Sequence, residues 1–212
     1  MSTVSELSRL AGLMHKVFRS GDVAGMTLAH WNKLAEKPDL FAQIPALING
    51  HPVITQVKHL VDLGASPRLP FAGAEVVKHE GVGVVEIELR SDDNLYIDGK
   101  KVNLVLSERQ KGDNEVVGNE LRQELEGGEQ VLLNSNVLDC IYDHPELFPE
   151  HWKRDENGDT RYIFFWGSIF RSPTIGYLRT WCLYWYGDVL KRQHDWLGND
   201  LSRHAPSASV AS

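Results

Sequence analysis

Residues 162–197 read YIFFWGSIFRSPTIGYLRTWCLYWYGDVLKRQHDWL. Trp166, Trp181, Trp185 and Trp196 lie within this stretch and Trp152 just before it. Two turn signals divide it, SPTIG at 172–176 and Gly187-Asp188, and both suit connections between antiparallel strands. The spacing predicts a three-stranded meander with strands over 162–171, 176–186 and 189–196. On the central strand Tyr177, Arg179, Trp181, Leu183 and Trp185 share one face, and Leu178, Thr180, Cys182, Tyr184 and Tyr186 share the other. A half-buried strand alternates apolar with polar residues, and this one does not. Either both of its faces are covered, or one is an exposed aromatic platform of the kind that carries interface hot spots. Core burial is the first reading, because rings mostly serve as core.

Upstream the pattern changes. Leu7, Leu10, Met14, Val17 and Phe18 recur at three- and four-residue steps, a helical stripe. A second helix is expected from Thr27 through Trp31 and Leu34. Residues 52–63 fit helix or strand equally well, and the Pro- and Gly-rich stretch 64–74 reads as a loop. Beyond it, 82–89 alternates as a half-buried strand. Residues 94–106 form a hairpin about Asp98-Gly99, the dipeptide that two-residue hairpin turns favour. Val117, Leu121 and Leu125 mark a helix stopped by Gly127-Gly128. Asn134 or Ser135 caps another through Val137, Leu138 and Ile141 that ends before Pro145. The expected fold class is therefore α+β: a helical N-terminal part, a mixed region and a C-terminal antiparallel meander. The expected units are a helical region 1–63, an α+β domain 75–197 and a flexible, small-residue tail 198–212.

Composition narrows the function classes. The 212 residues carry 22 Lys and Arg against 29 Asp and Glu, a formal charge of −7, which opposes nucleic-acid phosphates at long range. Two cysteines, Cys140 and Cys182, make neither a disulfide framework nor a common four-ligand zinc site. With no apolar run of membrane-spanning or signal-peptide length, the sequence reads as that of a cytoplasmic protein with reduced thiols.

Candidate sites are few. Arg171 and Arg179 would lie near the turn end of the first hairpin, beside Phe170 and Tyr177, where a guanidinium pair can clamp a carboxylate or phosphate. The bland reading is surface charge stacked on rings. Trp166 and Tyr184 are the aromatic members of a candidate binding surface. Asp143, His144, Glu150 and His151 have metal-ligand chemistry, but two prolines interrupt them and no single helix face could present them, so no metal or other cofactor is expected. Cys140 falls mid-helix, and His194 and Asp195 point to opposite strand faces. No nucleophile elbow, phosphate loop or dinucleotide fingerprint is present.

The stretches VNLVLSERQKG, GNELRQEL, VLLNSNVLDCIYDHPELFPEHWK, YIFFWGSIFR and YLRTWCLYWYGDVLKRQHDWLGND together resemble a family of bacterial proteins with spaced NVLD, PE.WK, FFWG, YLYW and WL motifs. The resemblance covers about half the chain, from Val102 onward. It implies a bacterial cytoplasmic origin and brings no assigned activity, cofactor or catalytic residue. The expected function is a non-enzymatic binding or accessory protein that contacts a partner protein or another copy of itself. Alternatives are an enzyme or small-ligand protein with an aromatic pocket and, third, nucleic-acid binding by base stacking, which the net charge opposes.

Overall fold

A computed structural model describes residues 57–111 and 114–211. In chain order these form β1 (Val57–Asp62), β2 (Glu75–His79), β3 (Val84–Leu89), β4 (Leu95–Ile97), β5 (Lys100–Val105), α1 (Glu108–Lys111), β6 (Val116–Val117), α2 (Gly118–Glu126), β7 (Gln130–Leu132) and α3 (Ser135–Asp143). Two 3-10 turns follow at Pro145–Leu147 and Glu150–Trp152. Then come β8 (Tyr162–Phe164), β9 (Ser168–Arg171), β10 (Leu178–Tyr186), β11 (Val189–Trp196), β12 (Asp200–Leu201) and β13 (Ser207–Ala211).

The α+β expectation is overturned: strand takes up 41% of the described structure and helix 18%. The main sheet runs β1-β3-β4-β5-β13-β8-β10-β9-β2, with β11 paired to β10 and β7 to β13. β6 and β12 make a separate ribbon. Sequence reading undercounted strands because β2, β7, β12 and β13 are short and polar or small-residued. They carry no alternating apolar signal and are specified by backbone pairing to neighbours. The helical reading of residues 1–56 falls outside the described residues. Residues 57–62, assigned to that helical region, instead pair antiparallel with β3, and the sheet unit runs from Thr55 to Ser212.

Other expectations hold. The hairpin of β4 and β5 turns at Asp98 and Gly99 with φ of 47° and 76°, the double positive φ that favours Asp-Gly. In α2, Leu121 and Leu125 are buried. The α3 cap is Asn134, whose side chain accepts from the Asn136 and Val137 amides. Its own amide group donates to the carbonyls of Leu63 and Glu80, so one residue both starts the helix and fastens it to the β1–β2 region.

The tail expectation fails. Residues 207–211 form β13, paired with β5, β7 and β8, and Ser207, Ala208, Ser209 and Val210 are all buried. Small side chains read as flexible in isolation, but they also fit a crowded position inside a sheet.

The central strands explain the unusual ring content. Trp181 and Leu183 join a core with Val137, Leu138 and Ile141 of α3. Cys182 joins a second core with Leu121 and Leu125 of α2. Both faces of β10 are thus covered at its middle, and exposure rises toward Tyr186.

The expected first strand is interrupted. β8 and β9 both pair with β10, Phe164 opposite Cys182 and Phe170 opposite Arg179, so the ladder is interrupted at 165–167, where the Phe165 amide still donates to the Trp181 carbonyl. The Thr180 hydroxyl lies within hydrogen-bonding distance of the Phe165 and Ser168 carbonyls and closes the break. Gly167 is required by close approach: an added Cβ would lie 2.8 Å from Asn134 N, Leu132 O and the Leu133 carbonyl carbon.

Candidate functional site

Trp166 lies on the same side of the sheet as Phe164, beneath α2. It is fully buried and stacks on Phe164 with centroids 5.5 Å apart, in the core beside α2. It is a packing residue and meets no ligand from solvent. Trp152 and Trp181 are buried in the other core, with Trp185 packed against it, while Trp196 stacks on Tyr177 at 4.6 Å.

Arg171 and Arg179 do not converge on one anion. The Arg171 guanidinium lies 3.8 Å from Glu75 on the neighbouring β2. The Arg179 guanidinium donates to His194 Nδ1 at 3.2 Å and lies 5.9 Å from the Phe71 ring centroid. Of the two readings of the pair, charge stacked on rings matches Arg179.

Tyr184 is where the sheet opens. On the face shared with Cys182, it stands opposite Tyr162 across the β8–β10 ladder, and the rings pack with centroids 4.9 Å apart. Tyr186 follows on the same face and is 72% exposed. Tyr162 also borders a cleft of about 540 Å³ lined by Asp159, Asp195, Asp200, Gln193, Ser202 and His204, among others. Its charged walls are three carboxylates, and Lys191 stands outside it, paired with Tyr184. Asp195 is pinned: its carboxylate accepts from the Trp196 amide and the Asn199 side chain.

A second cleft, of about 320 Å³, lies between β1 and α3 and is lined by His59, Arg68, Asn136, Asp139, Cys140, Asp143 and His144, among others. Arg68 makes a two-pronged contact with Asp143 at 2.6 and 3.0 Å, which holds that carboxyl below its ordinary value. Asp139 accepts from Arg192, yet burial still pushes its carboxyl up. The Cys140 thiol is pushed up to about 11 by burial and by Asp143 and Glu146. It stays protonated at neutral pH, unlike a reactive cysteine.

The four residues read as metal-like do not meet. Asp143 faces Arg68, Glu150 faces Lys153, and His151 faces Asp93. His144 instead faces Glu146 and the ring of His59. Sequence reasoning missed His59 and Glu146. The signal for Glu146 was its place two residues after His144; for His59 there was none, since only the folding of β1 beside α3 brings it near.

His194 supplies a pH response. Burial, then the neighbouring Arg179 charge, lowers its pKa below the ordinary 6.5, and burial does the same for His59. As pH falls below 6.5 the unfolded chain takes up protons that the folded chain refuses, so stability present above that pH is lost through the window down to the folded values. The urea midpoint is expected to fall between pH 7.5 and 5.5, less steeply in His194→Gln. An unchanged slope in that variant would show that His194 is not the group.

No family model, curated protein or solved structure matches the chain.

Proposed function

We propose that the protein is a non-enzymatic binding protein that receives a basic segment of a partner protein on the tyrosine end of its central sheet. One observation carries this reading: the Tyr162–Tyr184 pair stands where cover on the sheet ends, at the border of a cleft walled by Asp159, Asp195 and Asp200. Ring faces attract Lys and Arg side chains, carboxylates add charge-assisted hydrogen bonds, and the −7 charge of the chain steers a basic partner inward. The same acidity works against nucleic acid. Within the described residues no helix is long and apolar enough to cross a membrane. Cys140 and Cys182 are free thiols, which suits a reducing compartment, and we place the protein in the cytoplasm.

The bacterial family that the C-terminal half resembles forms part of this proposal. Its motifs coincide here with packing features: the NVLD run with α3 and its Asn134 cap, FFWG with the break after β8.

Short peptides rich in Arg and Lys, titrated by calorimetry beside acidic and neutral peptides of equal length, test the reading. Binding is expected for the basic set alone and should weaken with salt. Tyr184→Ala should reduce affinity by about 30-fold or more, the scale of a hot-spot loss, and Asp200→Asn by a smaller factor. Equal binding of acidic and basic peptides, or an unchanged affinity in Tyr184→Ala, would contradict it.

A further inference from the structure

We propose that His59, His144 and Glu146 form a binding site for a divalent transition-metal ion of the zinc type. The three come from separate pieces of the fold. His59 is on β1, His144 is the residue that ends α3, and Glu146 lies in the 3-10 turn of Pro145–Leu147. A ligand atom from each lies within 4.8 Å of the other two. Glu146 Oε1 is 3.3 Å from His144 Nδ1 and 3.9 Å from His59 Nε2.

The shorter separation matches the spacing of two ligand atoms on one ion. A tetrahedral ion with bonds of about 2.0–2.1 Å holds its ligand atoms roughly 3.3 Å apart, whereas 3.9 Å is too long for a hydrogen bond. His59 Nε2 is moreover buried without a hydrogen-bond partner among the described residues. A ring nitrogen shielded from water with nothing to bond costs stability, and an ion between it and Glu146 removes that cost. The two imidazole rings pack on each other, 3.9 Å apart at their centroids and tilted by 32°.

The donor set selects the metal class. Two imidazoles and one carboxylate suit zinc and its first-row neighbours, while magnesium and calcium favour oxygen ligands throughout. Three protein ligands leave a fourth position, the arrangement of exchangeable rather than closed zinc sites. His59 and His144 both border the cleft that also holds Arg68 and Cys140, so water or a small anion can complete the shell. The other His-carboxylate group, Asp155, Asp159 and His204, is weaker. Asp155 already accepts from the Asn157 and Asp159 amides, as an ordinary turn residue does.

This inference is independent of the peptide-binding proposal. Metal-stripped full-length protein is titrated with CoCl₂, then with ZnCl₂. One Co²⁺ per chain is expected, with the visible absorption of four-coordinate cobalt, displaced by one Zn²⁺. His144→Ala and Glu146→Gln should each weaken Zn²⁺ binding by at least ~10–100-fold, since loss of even an outer-shell partner does as much. Both residues are half-exposed, and circular dichroism should show the two variants folded. His151→Ala, on the neighbouring turn but paired with Asp93, should bind as the parent does. Absence of saturable uptake, or uptake of parental strength in both His144→Ala and Glu146→Gln, would overturn the site.

Discussion

Removing residues 206–212 is expected to abolish cooperative folding of the sheet unit. β13 lies between β5 on one side and β7 and β8 on the other, so its loss separates the β1–β3–β4–β5 half from the β8–β10 half. Ala208 and Val210 leave one core, and the backbone groups of both flanking edges lose their partners. Each ladder bond contributes about 1 kcal/mol net, and stranded buried groups cost more, against a total stability of ~5–15 kcal/mol for a domain. The truncated protein should lack a thermal unfolding transition by circular dichroism. A truncated chain that melts within a few degrees of the parent would show that β13 is not part of the sheet.

Trp166→Ala is the second large effect. The side chain is fully enclosed in the α2 core with Phe164, Ile169 and Cys182, and its truncation leaves a cavity that the surrounding sheet cannot collapse to fill. Cavities of this kind cost about 3–5 kcal/mol, roughly a fifth or more of a typical domain's stability. The indole N–H has no hydrogen-bond partner among the described residues, so Trp166→Phe should cost far less: it gives up some volume and removes an unsatisfied donor. Trp181→Ala, in the opposite core, should resemble Trp166→Ala, and Tyr184→Ala should be much milder. Chemical denaturation of the four variants checks this order. Equal, small losses in Trp166→Ala and Tyr184→Ala would mean that the indole is not enclosed beneath α2.

What was legible from sequence follows from how local each signal is. The Asp98-Gly99 hairpin, the Asn134 cap and the Leu121–Leu125 spacing are set within a few residues, and all three are present. Position on the sheet is not local. The composition of residues 206–211 is that of a tail, and only the pairing of β13 with three strands makes it core. The run 162–171 alternates well enough to read as one strand; the break at 165–167 depends on Gly167 meeting the Leu132–Asn134 backbone, which no spacing reveals. The same division holds for the sites. The place of Tyr184 on one strand face with Cys182 and Tyr186 was legible from alternation. Trp166 keeps the strand face of Phe164 and is buried because α2 covers that face, and the approach of His59 to His144 is a product of the tertiary fold alone.

Native-state hydrogen exchange tests most directly the central claim, that the sheet is covered on both faces through β10 and β13 and open at its tyrosine end. Amides of Thr180, Cys182 and Leu183, and those of residues 208–210, should exchange only through global unfolding, with one shared protection free energy. Tyr186 and its neighbours at the turn should exchange faster by local opening. Exchange of residues 207–211 within seconds, or protection of the tyrosine end equal to that of the centre, would contradict it.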